Sequence, residues 1–429
     1  MSASTPTLPT LPEGTRMMAT MLDNGPGFIA LDEAAAAEGI VHVPLPLFFT
    51  PAQVAHALQA AGADTLVTAD GVQRLPFAPV ALPPGTAKIT FTSGTTGAPK
   101  GVCLTAAAMD AVADGLIAAM APLGITRHLN ALPYAVLLEN IAGLLAPRRH
   151  GVDVVALPLR EVGLIGSSQF DPARLHAAVE AHGAESLILL PQMLRAWVAW
   201  LAATGQRAPA SLKLVAVGGA AVGAPLIEAA QALGIPACEG YGLSEGASVQ
   251  TLNLPGAQRP GSAGRALPHA RLRVNGDGEI EVAGSLFAGY LGSPEPVPAW
   301  WPTGDLGRID ADGYVWIDGR RRNVLITAYG RNVSPEWIET ALRSHPAVAQ
   351  AVVFGDGEPA LSAVLWPTNA RADLQAAVDA ANATLPDYAR IARWTRGRAA
   401  FDPSTGLATA NGRPQRPAIA SLHADALAT

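Results

Sequence analysis

Short apolar runs alternate with alanine-rich amphipathic segments through roughly the first three hundred residues of the chain. Residues 40–44, 186–190 and 212–217 are mostly apolar and have the length of buried strands. Residues 50–61 and 172–182 repeat apolar side chains at helical spacing, and each has a proline near its start, where helices tolerate one. The same patterns predict further strands at 65–68 and 153–157 and a further helix at 225–233. Alternating strands and helices favour parallel sheets covered by helices.

The pattern changes near Ala270 to short strands that are joined by tight turns. Residues 271–274, 279–282 and 314–317 are β-prone, and Asn-Gly-Asp-Gly and Asp-Gly sequences between them are strong turn signals. This part of the chain therefore predicts a small antiparallel sheet or barrel that completes the preceding domain.

A basic segment at residues 319–323 separates this region from a last part of about a hundred residues. That part has strand signals of its own, at residues 349–354 and 360–365. A chain of 429 residues is also longer than the roughly 250–300 residues that one core supports. We therefore predict an α/β protein. Its large domain of stacked α/β sheets, with a small β-barrel-like subdomain, covers 1–319, and a small α+β domain covers 320–429.

Composition narrows the class of protein only a little. Hydrophobic residues make up 49% of the chain, but no run reaches the roughly 18–20 uninterrupted apolar residues of a membrane helix. Cys103 and Cys238 are the only cysteines, which excludes a multi-cysteine zinc site and suits a reducing compartment. The net charge of −6 argues against a nucleic-acid partner. The amino end lacks the pattern of a secretory signal, so we expect a cytoplasmic protein without a transmembrane segment.

The most apolar stretch, residues 187–203, is interrupted by Pro191, Gln192 and Arg195. We interpret it as a core segment followed by an amphipathic helix. The alternative is a helix that lies on a membrane surface.

A β-prone stretch that starts at Ile89 leads into a segment rich in glycine and hydroxyl side chains. Its glycines would let backbone amides approach an anion closely, its hydroxyls can donate to phosphate oxygens, and its lysine adds a compact positive charge. The order differs from the Walker pattern because a glycine follows the lysine. The alternative is a flexible surface loop. The segment comprises Thr92, Ser93, Gly94, Thr95, Thr96, Gly97, Ala98, Pro99, Lys100 and Gly101.

This segment resembles the signature loop of the adenylate-forming superfamily, which includes acyl-CoA synthetases, peptide-synthetase adenylation domains and luciferases. A second segment resembles the family's YGxTE motif, with Ser244 in place of threonine. A tyrosine face can stack on adenine, a hydroxyl can meet the α-phosphate, and a carboxylate is a hard ligand for Mg²⁺. The alternative is a buried turn. The segment comprises Glu239, Gly240, Tyr241, Gly242, Leu243, Ser244 and Glu245.

Two more motifs of the family follow in the expected order. Thr303-Gly304-Asp305 resembles the TGD motif, whose aspartate accepts hydrogen bonds from ribose hydroxyls, and Arg320 matches the arginine that binds ribose and phosphate. Singly, they could be a type I turn and part of a solvated basic face, and we keep the second interpretation for Arg321. The steps of 145, 60 and 15 positions from Lys100 to Glu245, Asp305 and Arg320 resemble the family's layout.

The resemblance implies a reaction in which a carboxylate attacks the α-phosphate of ATP and pyrophosphate leaves. The acyl group would then pass from AMP to a thiol, either of CoA or of a carrier protein's phosphopantetheine. In relatives the small domain is a mobile lid, and residues 326–339 resemble the segment that turns over to face the site. By position, Arg322 is the hinge residue, where relatives carry aspartate or lysine.

These arguments assign residues to three roles. The predicted catalytic residues are Lys100, Ser244, Glu245 and Arg413, of which Glu245 would bind Mg²⁺. Further predicted nucleotide-binding residues are Thr92, Ser93, Gly94, Thr95, Thr96, Gly97, Gly219, Glu239, Gly240, Tyr241, Gly242, Asp305 and Arg320. The predicted acid pocket consists of Tyr134, Leu138, Val217, Gly218, Gly219, Ala220, Leu243 and Val249. This lining would be apolar, so we favour a fatty or aryl acid.

Three departures from the family pattern limit the assignment. Most relatives carry a lysine in an NGK-like loop near the carboxyl end, and Arg413 stands at that place. Arginine keeps the charge but is larger, planar and forked. Residues 132–140 resemble a segment of bacterial long-chain acyl-CoA synthetases, where a histidine commonly stands in place of Val136. The helix-rich opening of typical members is missing before Gly27.

We therefore keep three hypotheses. An AMP-forming acyl-CoA synthetase leads, and a ligase that loads a carrier protein is its nearest competitor. A nucleotide-binding pseudoenzyme or scaffold is the alternative from another class, motivated by Arg413 and the short amino end.

Overall fold

The structure is a computed structural model, and it describes residues 10–92, 99–166, 169–293, 295–328, 331–409 and 412–427. Its helices, in chain order, are α1 (Pro26–Glu38), α2 (Pro51–Ala61), α3 (Ala106–Met120), α4 (Ala146–Arg149), α5 (Pro172–His182), α6 (Pro191–Thr204), α7 (Ala224–Ala232), α8 (Pro335–Arg343), α9 (Leu374–Thr384), α10 (Arg416–Leu422) and α11 (Ala424–Leu427).

The strands of the large domain, in chain order, are β1 (Met17–Met21), β2 (Val41–Pro44), β3 (Thr65–Thr68), β4 (Gly71–Arg74), β5 (Thr86–Thr92), β6 (Lys100–Thr105), β7 (Arg127–Leu129), β8 (Asp153–Val155), β9 (Leu164–Ile165), β10 (Gln169–Phe170), β11 (Ser186–Leu189), β12 (Leu214–Val217), β13 (Ala237–Leu243), β14 (Ser248–Leu252), β15 (Arg265–Ala266), β16 (Arg271–Val274), β17 (Glu279–Ala283), β18 (Gly289–Tyr290), β19 (Trp301–Ile309) and β20 (Val315–Arg320). Those of the small domain are β21 (Leu325–Ile326), β22 (Asn332–Val333), β23 (Val348–Phe354), β24 (Leu361–Pro367) and β25 (Ile391–Arg396).

Two seven-stranded sheets build most of the large domain, with the strand orders β18-β6-β5-β2-β1-β3-β4 and β15-β14-β13-β12-β11-β7-β8. Strands β1, β2, β3 and β5 are parallel in the first sheet, and β7, β8, β11, β12 and β13 are parallel in the second. Antiparallel strands complete both edges of the first sheet and one edge of the second. The α/β class predicted from the alternating pattern is thus confirmed.

Several predicted elements have the expected local chemistry. Thr50 caps α2, because its hydroxyl accepts a hydrogen bond from the backbone N–H of Gln53 while the Gln53 side chain accepts one from the N–H of Thr50. The apolar stretch 187–203 forms the end of β11 and most of α6, and Trp197 is fully buried. This is the core segment with an amphipathic helix that its sequence predicts.

One helical stretch within the described residues, Ala106–Leu123, is long and apolar enough to cross a membrane, with a mean hydropathy of 1.4. It comprises α3 and a short 3₁₀ turn. Val112 and Leu116 on this stretch are buried in the main core of the large domain.

The predicted small sheet or barrel is an antiparallel sheet in the order β16-β17-β19-β20. In the small domain, β23-β24-β25 form a mixed sheet against which α8 and α9 pack. Buried side chains of this domain form clusters separate from those of the large domain. The chain thus has a large amino-terminal and a small carboxy-terminal domain, and the division at residue 320 remains our prediction.

Candidate active site

The glycine- and threonine-rich segment connects two paired strands. β5 ends at Thr92 and β6 begins at Lys100, and these two residues are register partners. The Thr92 hydroxyl donates to the carbonyl oxygen of Lys100 at 3.5 Å, and the lysine is exposed. The predicted phosphate-binding residues Ser93, Gly94, Thr95, Thr96 and Gly97 lie outside the described residues. The structure therefore locates the two ends of the predicted phosphate loop.

A tyrosine that the motifs did not identify links Lys100 to Glu245. β18 pairs with β6, which brings Tyr290 beside the lysine, and the Lys100 Nζ lies 5.7 Å from the centre of the tyrosine ring. The Tyr290 hydroxyl donates to Glu245 Oε1 at 2.6 Å. Phe287 and Trp301 pack edge-on against the ring. We call Lys100, Glu245 and Tyr290 the Lys100 cluster. Ser244, the neighbour of Glu245, opens a half-buried 3₁₀ turn.

One residue each from the YGxTE-like segment, the TGD motif and the Arg320 position contact one another directly. Asp305 on β19 and Arg320 on β20 are register partners, and the Arg320 Nε lies 2.7 Å from Asp305 Oδ1. The Tyr241 hydroxyl donates to Asp305 Oδ2 at 2.6 Å. Burial and the Asp305 charge raise the pKa of Tyr241, so its phenol stays protonated at neutral pH. We call Tyr241, Asp305 and Arg320 the Asp305 cluster.

The isolated-turn interpretation of the TGD motif is wrong. Thr303, Gly304 and Asp305 lie inside the nine-residue strand β19. The Thr303 hydroxyl donates to the carbonyl oxygen of Ile280 at 2.7 Å and accepts from the backbone N–H of Asp305 at 3.1 Å. Arg321, interpreted as part of a solvated face, is exposed and pairs with Glu279 and Asp277.

Some residues of the YGxTE-like segment have structural partners of their own. Glu239 Oε1 accepts the backbone N–H of Val222 at 3.1 Å, just before α7, and burial raises the pKa of the Glu239 carboxyl to about 7. A Cβ on Gly242 would lie 2.1 Å from the Ser248 carbonyl oxygen, and one on Gly240 would lie 3.0 Å from that of Thr251. These two glycines therefore permit the close approach of β13 and β14.

Arg413 of the small domain interacts electrostatically with charges of both clusters. Its pKa is lowered by burial and by the guanidinium groups of Arg320 and Arg322, and raised by the carboxylates of Asp305 and Glu245. The side chain nevertheless keeps access to solvent. Ala410 and Asn411 of the same loop lie outside the described residues. The predicted lysine substitute thus lies within electrostatic reach of both clusters.

The loop that carries Arg413 is anchored in the small domain. The backbone N–H of Thr409 donates to the carbonyl oxygen of Arg413 at 2.8 Å. Arg416, three residues on, forms an ion pair with buried Glu339 at 2.7 Å and donates to the carbonyl oxygen of Val353. The predicted hinge residue Arg322 lies in an exposed 3₁₀ turn between the domains, and burial and Arg320 lower its pKa.

The residues predicted to line the acid pocket do not all meet at one cavity. An apolar cavity of about 180 Å³ lies against the second sheet. Leu138 and Val249 line it, but Tyr134, Val217, Gly218, Gly219, Ala220 and Leu243 do not. Tyr134 is fully buried beside Phe28, and its hydroxyl donates to Asn130 Oδ1 at 2.5 Å. Gly218 still adjoins the cavity wall, because a Cβ on it would lie 4.0 Å from a methyl group of Leu138.

Comparison with known proteins adds a second line of evidence to this geometry. The sequence profile of the AMP-binding enzyme family matches residues 78–291, and that of the AMP-binding enzyme C-terminal domain matches residues 322–428. A sulfoacetate–CoA ligase of Cupriavidus necator is 34% identical over 362 residues, which cover 75% of this chain and 67% of that enzyme. The chain belongs to the AMP-binding enzyme family.

Other family members match over different lengths. A long-chain-fatty-acid–CoA ligase of Mycobacterium bovis is 38% identical over 154 residues, but these span only 26% of that enzyme and 34% of this chain. The o-succinylbenzoate CoA synthetase of Bacillus subtilis, solved with its acyl-adenylate intermediate, superposes with a TM-score of 0.76 at 23% identity, over 94% of this chain and 87% of its own. The last comparison confirms the adenylate-forming fold.

Proposed function

We propose that this AMP-binding family member activates a carboxylic acid as an acyl-AMP and then transfers the acyl group to a thiol. One observation carries the proposal most directly: Arg413 of the small domain lies within electrostatic reach of Asp305 in one cluster and of Glu245 in the other. Groups suited to a nucleoside and groups suited to polyphosphate thus lie within electrostatic reach of one arginine of the small domain.

The Asp305 cluster would hold the nucleoside of ATP. Asp305 is an acceptor with two oxygens already oriented by Tyr241 and Arg320, so little reorganisation is needed when ribose hydroxyls bind. The ring of Tyr241 would support the adenine base by stacking. These contacts would align the α-phosphorus with the attacking carboxylate, which is the main requirement of phosphoryl-type transfer.

The Lys100 cluster and Arg413 would offset the charge that develops on the α-phosphate and on the leaving pyrophosphate. Lys100 is exposed at the end of the phosphate loop, and its ammonium is free to approach phosphate oxygens. Glu245 suits a Mg²⁺ ion, because Mg²⁺ usually takes one or two carboxylates and completes its shell with phosphate oxygens and water. When bound, the ion would neutralise phosphate charge. Tyr290 would hold the Glu245 carboxylate in place through its hydroxyl.

The apolar cavity supports a fatty or aryl acid as the substrate. An apolar cavity of about 150 Å³ can take a benzene ring, and this one measures about 180 Å³. CoA is the acceptor we favour, because the relatives described above are named as CoA ligases. Those names include a long-chain fatty acid and sulfoacetate, so likeness alone does not select the acid.

Pyrophosphate release with ATP, Mg²⁺ and a panel of fatty and aryl acids tests the proposal. We expect turnover with apolar acids and formation of a thioester when CoA is added. ATP binding without turnover on any acid would favour the scaffold hypothesis. Acyl-AMP formation followed by transfer to a carrier protein, and not to CoA, would favour the carrier-loading ligase.

A further inference from the structure

One face of α6 in the large domain contacts the small domain at two points. The Arg195 guanidinium donates a hydrogen bond to the backbone carbonyl oxygen of Arg343, the last residue of α8. Gln192 stands three residues earlier on the same helix face, and a Cβ on Gly412 would lie 3.8 Å from its amide nitrogen. Gly412 directly precedes Arg413. The helix α6 therefore contacts both the end of α8 and the loop that carries Arg413.

The bond from Arg195 is a helix cap that joins the two domains. The last carbonyl groups of a helix lack partners inside the helix, and they form the negative end of its dipole, which attracts a cation. Arg195 is half-buried, and burial together with the charge of nearby Arg343 lowers its pKa to about 10, so it stays charged at neutral pH. The carbonyl group at the end of α8 offsets part of the cost of placing this cation at the domain boundary.

A glycine permits α8 to lie this close to the large domain. Gly223 directly precedes α7, and a Cβ on it would lie 2.8 Å from the methyl group of Thr340 on α8. The φ of Gly223 is 87°, which also favours glycine. Thr340 is one helical turn before Arg343. The last turn of α8 is thus in close contact with the large domain at both of these residues.

Within the small domain, α8 is linked to the loop that carries Arg413. Arg416 pairs with Glu339 of α8 at 2.7 Å, and the same Glu339 oxygen accepts the backbone N–H of Val353 at 2.8 Å. The backbone N–H of Arg413 donates to the Thr409 hydroxyl at 3.2 Å, which closes the loop. A shift of α8 relative to the large domain would therefore move Arg413 as well.

We infer that Arg195 is a positioning residue for acyl-AMP formation. Its bond to the end of α8 holds the small domain where Arg413 reaches both the Asp305 cluster and the Lys100 cluster. This inference rests on the proposed function, in which Arg413 offsets charge on the α-phosphate. Transfer of the acyl group to a thiol begins after pyrophosphate has left, so it depends less on Arg413 and hence less on Arg195.

The test measures the two half-reactions of Arg195→Ala separately. We expect acyl-AMP formation, followed by pyrophosphate release, to fall about tenfold in kcat, which is the scale of one hydrogen bond from a charged group. Thiol transfer from supplied acyl-AMP should change much less. Arg195→Lys should regain most of the rate, because it keeps a cation at the end of α8. A loss of folded protein would instead lower both half-reactions equally.

A double-mutant cycle determines whether Arg195 acts through Arg413. If it does, Arg195→Ala should have little further effect on acyl-AMP formation in a chain that already carries Arg413→Ala. Losses that multiply in the double variant would overturn the inference. Equal losses in both half-reactions of Arg195→Ala would overturn it as well.

Arg127→Ala is the matched control. Arg127 donates at 3.1 Å to the carbonyl oxygen of His182, the last residue of α5, so it forms the same kind of cap within the large domain. We expect this variant to lose some stability and to keep the wild-type ratio of the two half-reaction rates. The same change of ratio in Arg127→Ala and in Arg195→Ala would contradict a role that is specific to the domain contact.

Trypsin cleavage at Arg321 and Arg322, which are exposed between the domains, needs no substrate. Loss of the cap should free the small domain, so we expect Arg195→Ala to be cut there faster than the wild type and Arg127→Ala, with the fragments identified by mass. Equal cleavage of all three would overturn the inference. Activation of no acid by the wild type would instead refute the proposed function, and the cleavage rates would still show whether Arg195 holds the small domain.

Discussion

The Asp305 cluster and the Lys100 cluster both lie within electrostatic reach of Arg413 but are built differently. In the Asp305 cluster, every charged or hydroxyl group is already bonded to another member, and the carboxylate is only 3% exposed. In the Lys100 cluster, the lysine is exposed and has no ion pair among the described residues, and its nearest partner is the face of an aromatic ring. In a site for neutral hydroxyls, the charged groups of the protein can already be paired with one another before the ligand binds. A site for phosphates instead keeps its cations unpaired until the anion binds.

The largest expected effect is that of Lys100→Ala. Removing one preorganised cation from the phosphate side should lower the rate of pyrophosphate release by about 10²–10³. The unfolding midpoint should not change, because the side chain is exposed. Stopped-time pyrophosphate assays and thermal unfolding measure the two effects. Lys213→Ala, which removes a lysine that pairs with Glu185, is the control. Equal losses in both variants would refute a specific role for Lys100.

Arg413→Ala should come next, with a loss of roughly 10² in acyl-AMP formation because its charge lies near both clusters. Arg413→Lys should keep most of the rate, since the charge remains although the fork is lost. Transfer of the acyl group from supplied acyl-AMP to CoA measures the second half-reaction and should fall less. Wild-type acyl-AMP formation by Arg413→Ala would show that arginine has not taken over the role of the family's lysine.

Asp305→Asn removes the carboxylate at the centre of the Asp305 cluster. It should raise the KM for ATP about tenfold, because a charge-assisted hydrogen bond to Arg320 is lost. The same substitution at Asp310, which directly follows β19 and pairs with Arg259, is the matched control. It should reduce the free energy of unfolding without changing the KM for ATP. If both variants changed the KM alike, the Asp305 effect would be one of stability alone.

Tyr290→Phe keeps the ring beside Lys100 and removes the hydroxyl that bonds to Glu245. We expect a rate loss of about threefold to tenfold, in line with the net contribution of a typical hydrogen bond. The Mg²⁺ concentration for half-maximal rate should also rise, and a titration measures it. Tyr314→Phe, which removes a hydroxyl bonded to the Ala257 carbonyl oxygen, should leave the Mg²⁺ dependence unchanged. An unchanged Mg²⁺ titration in Tyr290→Phe would contradict this positioning role.

The smallest expected effect concerns Glu239, whose pKa is raised from 4.5 to about 7 by burial. The protonated carboxyl favours the folded state, so its stabilisation is complete below about pH 4.5 and is lost as the pH rises through about 7. Glu239→Gln should lack this loss and gain on the order of 1 kcal/mol relative to the wild type over that range. Urea unfolding at several pH values measures it. A higher KM for ATP in this variant would show that Glu239 contacts the nucleotide after all.

Local sequence patterns were enough to predict much of the fold and the members of the Asp305 cluster. The capped helix α2, the parallel strands and the small antiparallel sheet follow from periodicity, caps and turn residues, which act over a few positions. Tyr241, Asp305 and Arg320 were identified because each belongs to a short motif. Tyr290 belongs to no motif, since a single tyrosine in a strand has many structural uses.

The sequence by itself determined the two-domain α/β architecture and the residue types available for nucleotide chemistry, because hydrophobic spacing and motif order are local properties of the chain. Only the tertiary structure decided that Tyr290 on β18 bonds to Glu245 across 45 positions and that Tyr134 is buried away from the cavity. Partners of this kind depend on which strands become neighbours. That choice is made by packing of the whole core.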